Sequence, residues 1–249
     1  MCIRCHRDVA LVRDACESWL WSTESKGTLV FCAVDGNPAL AAKLIQNGIP
    51  TYCSPRQHGW GTGLFELQME SVAWLHQHYG WVHTLSVDYD TLAIGRGADA
   101  ALLGHVTSDG IGLVGKYRVN ANWARLFGQD RARLSRVLGP TPPTYVPGEG
   151  LHGSCTLLTV SLLERLSESG LLQSGRQARR WTGLPDDHLL PLVCKSLGLS
   201  MVCLGKPIWS TCKPRRSPRG AENEGYKVFH PVLSADRDYF QRQRVGGER

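Results

Sequence analysis

The feature that most constrains this chain is an alternation of short apolar runs with amphipathic helical stretches, two of the runs ending abruptly in acids. Met1–Cys5 reads as a strand, and Asp8 can cap a helix whose Val9, Val12, Cys16 and Trp19 fall at helical spacing. Thr28–Val34 is a second strand that stops at Asp35-Gly36-Asn37-Pro38, a strong turn signal. Ala39–Gln46 predicts a short helix and Thr51–Cys53 a short strand. Gly61 and Gly63 precede a helix to about Tyr79, with Leu64, Phe65, Val72, Leu75 and Tyr79 on one side. The strand Trp81–Val87 then runs into Asp88-Tyr89-Asp90. Strands and helices at this pace imply right-handed crossovers and a mainly parallel α/β sheet, with ligands at the strand C-termini.

The second half reads differently. Ile111–Lys116 predicts a strand, and Pro140-Thr141-Pro142-Pro143 breaks the chain. Gly148-Glu149-Gly150-Leu151-His152-Gly153 reads as a flexible polar approach to a helix over Leu157–Leu166. A helix follows Leu184-Pro185-Asp186-Asp187, then a strand near Leu199–Leu204. Lys213–Arg219 reads as a mobile basic loop, and Tyr226–Val232 returns to apolar residues around His230.

At 249 residues, 42% hydrophobic and 20% charged, the composition excludes a disordered chain, a collagen-like fibre and a small disulfide knot. The apolar stretches, such as Leu189–Cys194, fall far short of the roughly 20 residues that span a bilayer. Nothing at the N-terminus reads as a signal peptide, and nine scattered cysteines suit reduced thiols. These features predict a cytoplasmic protein. Cys2-Ile3-Arg4-Cys5-His6 matches a haem-attachment pattern, but its residues read better as a core strand and turn. No second cysteine pair completes a zinc site. His76, His78 and His83 read as helix surface and strand start.

The sharpest chemical feature is Asp88-Tyr89-Asp90. Two carboxylates at i and i+2 at a strand end can reach one hard cation, which can bridge to phosphate oxygens. The competing reading is a solvated acidic turn, but a buried strand running straight into both acids places them where ligands bind in a parallel sheet.

With that motif the chain resembles nucleotide-sugar-dependent glycosyltransferases of the GT-A fold. Cys2–Asp8 looks like the first strand and turn that touch the nucleotide, which assigns Arg4 to donor binding. Val34-Asp35-Gly36-Asn37 looks like the second strand end, where Asp35 would meet the base or ribose. His58-Gly59-Trp60-Gly61-Thr62-Gly63 resembles the glycine-rich entry to the helix before the metal motif, adding Gly61 to the donor contacts, with Asp88 and Tyr89. Leu184-Pro185-Asp186-Asp187 resembles the acidic motif of inverting members, especially the fringe-like enzymes, although Val87 stands where those carry a further aspartate. Val228-Phe229-His230-Pro231 looks like a late histidine that completes the metal set of Asp88, Asp90 and His230.

The resemblance implies one Rossmann-like GT-A domain over residues 1–235, with a nucleotide-sugar-binding half to about 105, an acceptor half to 235, and a basic tail over 236–249. It implies Mn2+ or Mg2+ and a nucleoside diphosphate sugar, of the uridine type. The acceptor would be a hydroxyl on a glycan, a lipid-linked sugar or a small molecule. Asp187 or Asp186 would take the proton from that hydroxyl, giving inversion. Asp187 is preferred, while either acid can instead cap its helix. His152 and Trp181 are the expected acceptor contacts. Trp60, Trp123 and Trp209 also lie outside the clearest helical stripes. The Lys213–Arg219 loop would close over the diphosphate, or meet acidic lipids at the inner membrane face.

Two other classes are weighed. A sugar-nucleotide nucleotidyltransferase predicts a glycine-rich phosphate loop after the first strand, and His6-Arg7-Asp8-Val9 has no glycine. A nucleic-acid or anionic-ligand binding module draws on the +6 net charge but needs a basic stripe, whereas the arginines read as separate patches, and no nucleic acid is expected.

Overall fold

The computed structural model describes residues 1–205, 208–210, 217–232, 237, 238 and 241. Among them, β1 (Cys2–Cys5), α1 (Val9–Ser22), β2 (Phe31–Val34), α2 (Pro38–Gln46), β3 (Thr51–Cys53), α3 (Thr62–Tyr79) and β4 (Thr84–Asp88) alternate as the sequence predicts. Next come β5 (Leu92–Ala93), α4 (Ala98–Leu103), β6 (Ile111–Val119), α5 (Ala121–Leu138), β7 (Glu149–Leu158), α6 (Val160–Glu168) and α7 (Leu171–Ser174). The chain continues through α8 (Asp186–Ser196), β8 (Ser200–Cys203), β9 (Ile208–Ser210), α9 (Pro218–Asn223) and β10 (Val228–His230).

Seven strands form the central sheet in the order β3-β2-β1-β4-β7-β6-β8. β7 runs antiparallel to both of its neighbours, and every other pairing is parallel. β1 and β2 are buried along their whole length, as expected of strands covered on both faces. One buried cluster packs Val12, Trp19, Leu40 and Leu44 of α1 and α2 against Ile3, Val34 and Val87. A second packs Phe65, Met69, Leu163 and Leu190 against Leu113 and Leu151.

Two registers build the site. Parallel pairing sets Arg4 of β1 beside Asp88 of β4. A smaller sheet of β5, β10 and β9 pairs Phe229 with Leu92 and Val228 with Ala93, which carries His230 back to the turn after β4. A histidine remote in sequence thus meets Asp90 through strand pairing.

Several boundaries move. β2 begins at Phe31 instead of Thr28, and β4 at Thr84 instead of Trp81, whose indole stacks on His76 at 3.6 Å. The larger correction is at 148–153, which is not a flexible approach to a helix. Residues 149–158 form the buried strand β7, and the following helix starts at Val160. Its glycines serve close packing. A Cβ on Gly150 would lie 2.7 Å from the Asp187 carbonyl oxygen, and one on Gly153 would lie 3.2 Å from Asp186 Oδ2. Only hydrogen at Gly150 lets β7 press against the start of α8, and a side chain at Gly153 would crowd the Asp186 carboxylate. Helix α5 is an element the sequence pattern did not reveal.

The eight described cysteines are free thiols, and Cys2 and Cys5 are buried in β1. Of the basic loop read over 213–219, residues 213–216 lie outside the described residues, and Ser217, whose hydroxyl accepts from Gly220 N, caps α9. Most of the tail read over 236–249 also lies outside them, but Arg237 is buried against Asp14 at 2.7 Å. Among the described residues no helix is long and apolar enough to cross a membrane.

Candidate active site

A cavity of about 480 Å³ opens at the C-terminal ends of β1, β2 and β4. Every expected donor, metal, base and acceptor residue lines it except Trp181. Trp181 is 7% exposed and packs edge-on to Phe65 in the second core cluster, so it is a core side chain and not an acceptor contact.

Asp88, Asp90 and His230 stand together on the wall of the cavity, each offering a ligand atom within 4.8 Å of the other two. The His230 Nε2 to Asp90 Oδ1 distance is 3.4 Å. Burial pushes Asp90 up, but the hydrogen bond and charge of His230 outweigh it, so the carboxyl sits below its ordinary value. Asp88 is raised by burial against the opposing pull of Arg4. Two carboxylates and an imidazole, brought to one point by separate strands, fit a divalent ion. A nitrogen ligand suits Mn2+ better than the all-oxygen preference of Mg2+.

Arg4 occupies the floor. Its Nη2 donates to Asp88 Oδ1 at 2.8 Å and to the Gly153 carbonyl, and its Nη1 donates to Asp186 Oδ2 at 2.5 Å. The terminal nitrogens expected to meet the donor thus donate to three protein acceptors. The guanidinium ties the metal motif to the acidic motif instead. Asp35 is similarly committed: its Oδ1 accepts from His58 N at 2.6 Å and its Oδ2 from Gly59 N at 2.8 Å. That arrangement fixes the loop carrying Trp60, which is 80% exposed at the rim, and Gly61, at the start of α3. Tyr89 meets the His6 ring edge-on at 5.3 Å, and its hydroxyl accepts from Arg7 Nε at 3.2 Å.

The acidic pair opens α8 behind Pro185, and neither acid is the cap. Asp186 is bound to Arg4. Asp187 pairs with Arg118 through Oδ2, while its buried Oδ1 has no hydrogen-bond partner among the described residues. His152 lies 5.5 Å from the His230 ring, so it stands beside the metal cluster. Burial, joined by the charges of His230, Arg118 and Lys116, drives its pKa down to about 3, which keeps it neutral at physiological pH. His6 lines the cavity too, in the turn read as touching the nucleotide, whereas sequence reasoning missed Arg118 and Gly153. Arg118 carried no local signal, because only the pairing of β6 with β7 brings it to α8.

Beneath the Trp60 loop, His58 is sealed between two acids, with Nδ1 3.2 Å from Glu66 Oε2 and Nε2 3.0 Å from Glu70 Oε2. Ser54 and Tyr52 also donate to Glu70. Burial lowers the imidazole pKa, but the hydrogen bonds to Glu70 and Glu66 raise it more, leaving it above 6.5. Glu70, raised by burial and pulled down harder by His58 and Ser54, falls to about 2. The imidazolium therefore contributes stability in full below pH 6.5 and loses it as pH rises through the raised value. The carboxylate contributes above pH 4.5 and loses it as pH falls towards 2. In urea unfolding, the stability gap between wild type and His58→Gln is therefore largest from pH 4.5 to 6.5 and narrows on both sides. A gap independent of pH would show that His58 is not charged in the folded state.

No protein-family model matches the chain, and no curated protein matches it. Solved structures do. The galactosyltransferase LgtC, solved in complex with donor and acceptor sugar analogs, superposes at TM-score 0.53 and 13% identity, over 99% of this chain and 96% of its own. The bifunctional WbbM, in its apo form, matches at TM-score 0.51 and 10% identity over 98% of this chain. The mannosyltransferase PcManGT from Pyrobaculum calidifontis, in complex with GDP-Man and Mn2+, matches at TM-score 0.50 and 14% identity over 86% of this chain. This chain spans 49% of WbbM and 56% of PcManGT, against nearly all of LgtC. A seven-stranded, mainly parallel sheet ending at Asp88 and Asp90 is the GT-A fold of the nucleotide-sugar glycosyltransferases.

Proposed function

We propose that the protein transfers a sugar from a nucleoside diphosphate donor, of the uridine type, to a hydroxyl acceptor in a metal-dependent reaction that inverts the anomeric centre. The observation that carries this reading is the convergence of Asp88, Asp90 and His230 on a cavity that Asp186 and Asp187 also line. Those three residues would hold a divalent ion, which would supply Lewis-acid stabilisation of the departing diphosphate. Arg4 holds Asp88 and Asp186 in a fixed relation, so the metal-binding wall and the acidic wall keep their spacing. Arg118 holds the Asp187 carboxylate in place on the cavity wall, where it would take the proton of the attacking hydroxyl. A single base on the acceptor side is the arrangement of direct displacement. Support for the metal also comes from PcManGT, solved with GDP-Man and Mn2+, and support for sugar chemistry from LgtC with its sugar analogs. A cytoplasmic location accords with the reduced cysteines.

The test is a thermal-shift screen of UDP-, GDP-, CMP- and dTDP-sugars with and without Mn2+, followed by transfer assays on Asp187→Asn. Stabilisation by a UDP-sugar only with Mn2+ is expected. The Asn variant should bind donor as wild type does, yet transfer roughly 10²–10⁴-fold more slowly. A product of retained configuration by NMR would reject Asp187 as the base. Pyrophosphate release from a nucleoside triphosphate would replace the reading with nucleotidyl transfer.

A further inference from the structure

From Gly110 to Gly148 the chain carries six basic side chains and a single acid, so this segment holds a surplus of five out of six for the whole protein. The acid is Asp130, which is buried and accepts from the Thr182 hydroxyl at 2.8 Å and from Gly183 N at 3.0 Å. Helix α5 therefore exposes no negative charge. Phe127 and Leu134 bury its inner face, while Arg125, Arg133 and Arg136 lie on its exposed stripe and Arg131 on the flank.

Apolar side chains adjoin the N-terminal end of that stripe. Val119, 57% exposed, is the last residue of β6, immediately before the α5 cap Asn120. Its cross-strand partner Glu149 also closes the turn after Val146, which is 49% exposed. Tyr117, two residues before Val119 on the same side of the strand, is 38% exposed. Arg118, between them, and Trp123, in the first turn of α5, line the active-site cavity.

We propose that this surface, the arginine stripe of α5 with Val119, Val146 and Tyr117 at its end, docks the protein on an anionic lipid bilayer. An acid-free arginine face matches anionic headgroups, and the apolar side chains flush with its end suit insertion at the headgroup boundary. A nucleic acid would use the charge but leave the apolar group uncovered, which is why lipid is favoured. Arg118 alternates with Tyr117 and Val119, so its side chain lines the cavity on the other side of β6 from the docked face. The docking therefore does not rest on the glycosyltransferase reading.

The test is co-sedimentation of the full chain with vesicles of phosphatidylcholine, with and without phosphatidylglycerol, across a salt series. Binding only to the phosphatidylglycerol vesicles, weakening with salt, is expected. The triple variant R125Q/R133Q/R136Q should lower the partition coefficient on the order of 100-fold, at about fivefold per arginine. The triple lysine variant should keep most of the binding. V119S/V146S should weaken the binding that survives at high salt. Circular dichroism and Mn2+ binding unchanged in all variants would show fold and site intact, so loss of vesicle binding would be separable from any failure of the sugar-transfer reading. No binding to phosphatidylglycerol vesicles, binding unaltered in the glutamine variant, or salt-dependent binding to duplex DNA in place of vesicles would each overturn the proposal.

Discussion

Asp90→Ala should abolish Mn2+ binding at concentrations that saturate the wild type and cut sugar transfer by at least about 10³-fold, while the protein melts within a few degrees of wild type. The size of the loss follows from how the three candidate ligands are committed. Asp88 already gives one oxygen to Arg4. His230 supplies a neutral donor when it binds a metal. Asp90, 35% exposed at its side chain and paired only loosely with His230, is thus the principal anionic ligand. Its removal leaves a half-neutralised aspartate and an imidazole, too few charges to hold a hard cation against water. The modest melting change follows because the turn is fixed by its backbone: Thr91 N bonds to Asp88 O and Val232 N to Asp90 O, and alanine keeps both. Mn2+ titration by calorimetry and donor binding with and without the metal give the readout. Metal-dependent donor binding that survives in the variant would remove Asp90 from the site.

Legibility in the sequence tracked how local the determining physics was. The elements up to β4 could be read because each announces itself within a dozen residues, through a buried apolar run, a capping Asp8 or Asn37, or a turn at Asp35-Gly36. The second half could not be read that way. Gly150 and Gly153 look like loop residues in isolation, and only the approach of α8 shows that they permit close packing in a strand. α5 hides because its fully buried apolar residues, Phe127 and Leu134, are sparse among arginines. Within the site, the acids and His230 were legible as residue types. Their partners were not: Arg4 meets Asp186 across 182 residues of sequence, and Arg118 of β6 meets Asp187 of α8 only through the packing of that helix on the sheet. The resemblance likewise assigned Arg4 to the donor, whereas the fold pairs it with two carboxylates.

That arrangement makes Arg4→Met the substitution with the largest expected cost in stability. The side chain is 2% exposed, and the Asp186 carboxylate it holds is 6% exposed. Methionine of similar reach removes the cation but leaves Asp186 without its ion pair, Asp88 without its 2.8 Å partner and the Gly153 carbonyl short of a donor. Breaking a buried pair from one side costs about 3–5 kcal/mol, which for a chain of this size lowers the melting temperature by roughly 10 °C. Arg4→Lys should recover little, since one ammonium on a shorter stem cannot span both carboxylates and the carbonyl. The double variant Arg4→Met/Asp186→Asn should be less destabilised than the sum of the two single changes, because the second removes the charge that the first strands. Mn2+ should also raise the melting temperature of Arg4→Met, by neutralising Asp88 from the cavity side. Urea unfolding of the four proteins closes the cycle. Strict additivity would mean that Arg4 and Asp186 act independently, and the bridge between the metal motif and the acidic motif would then carry no energy.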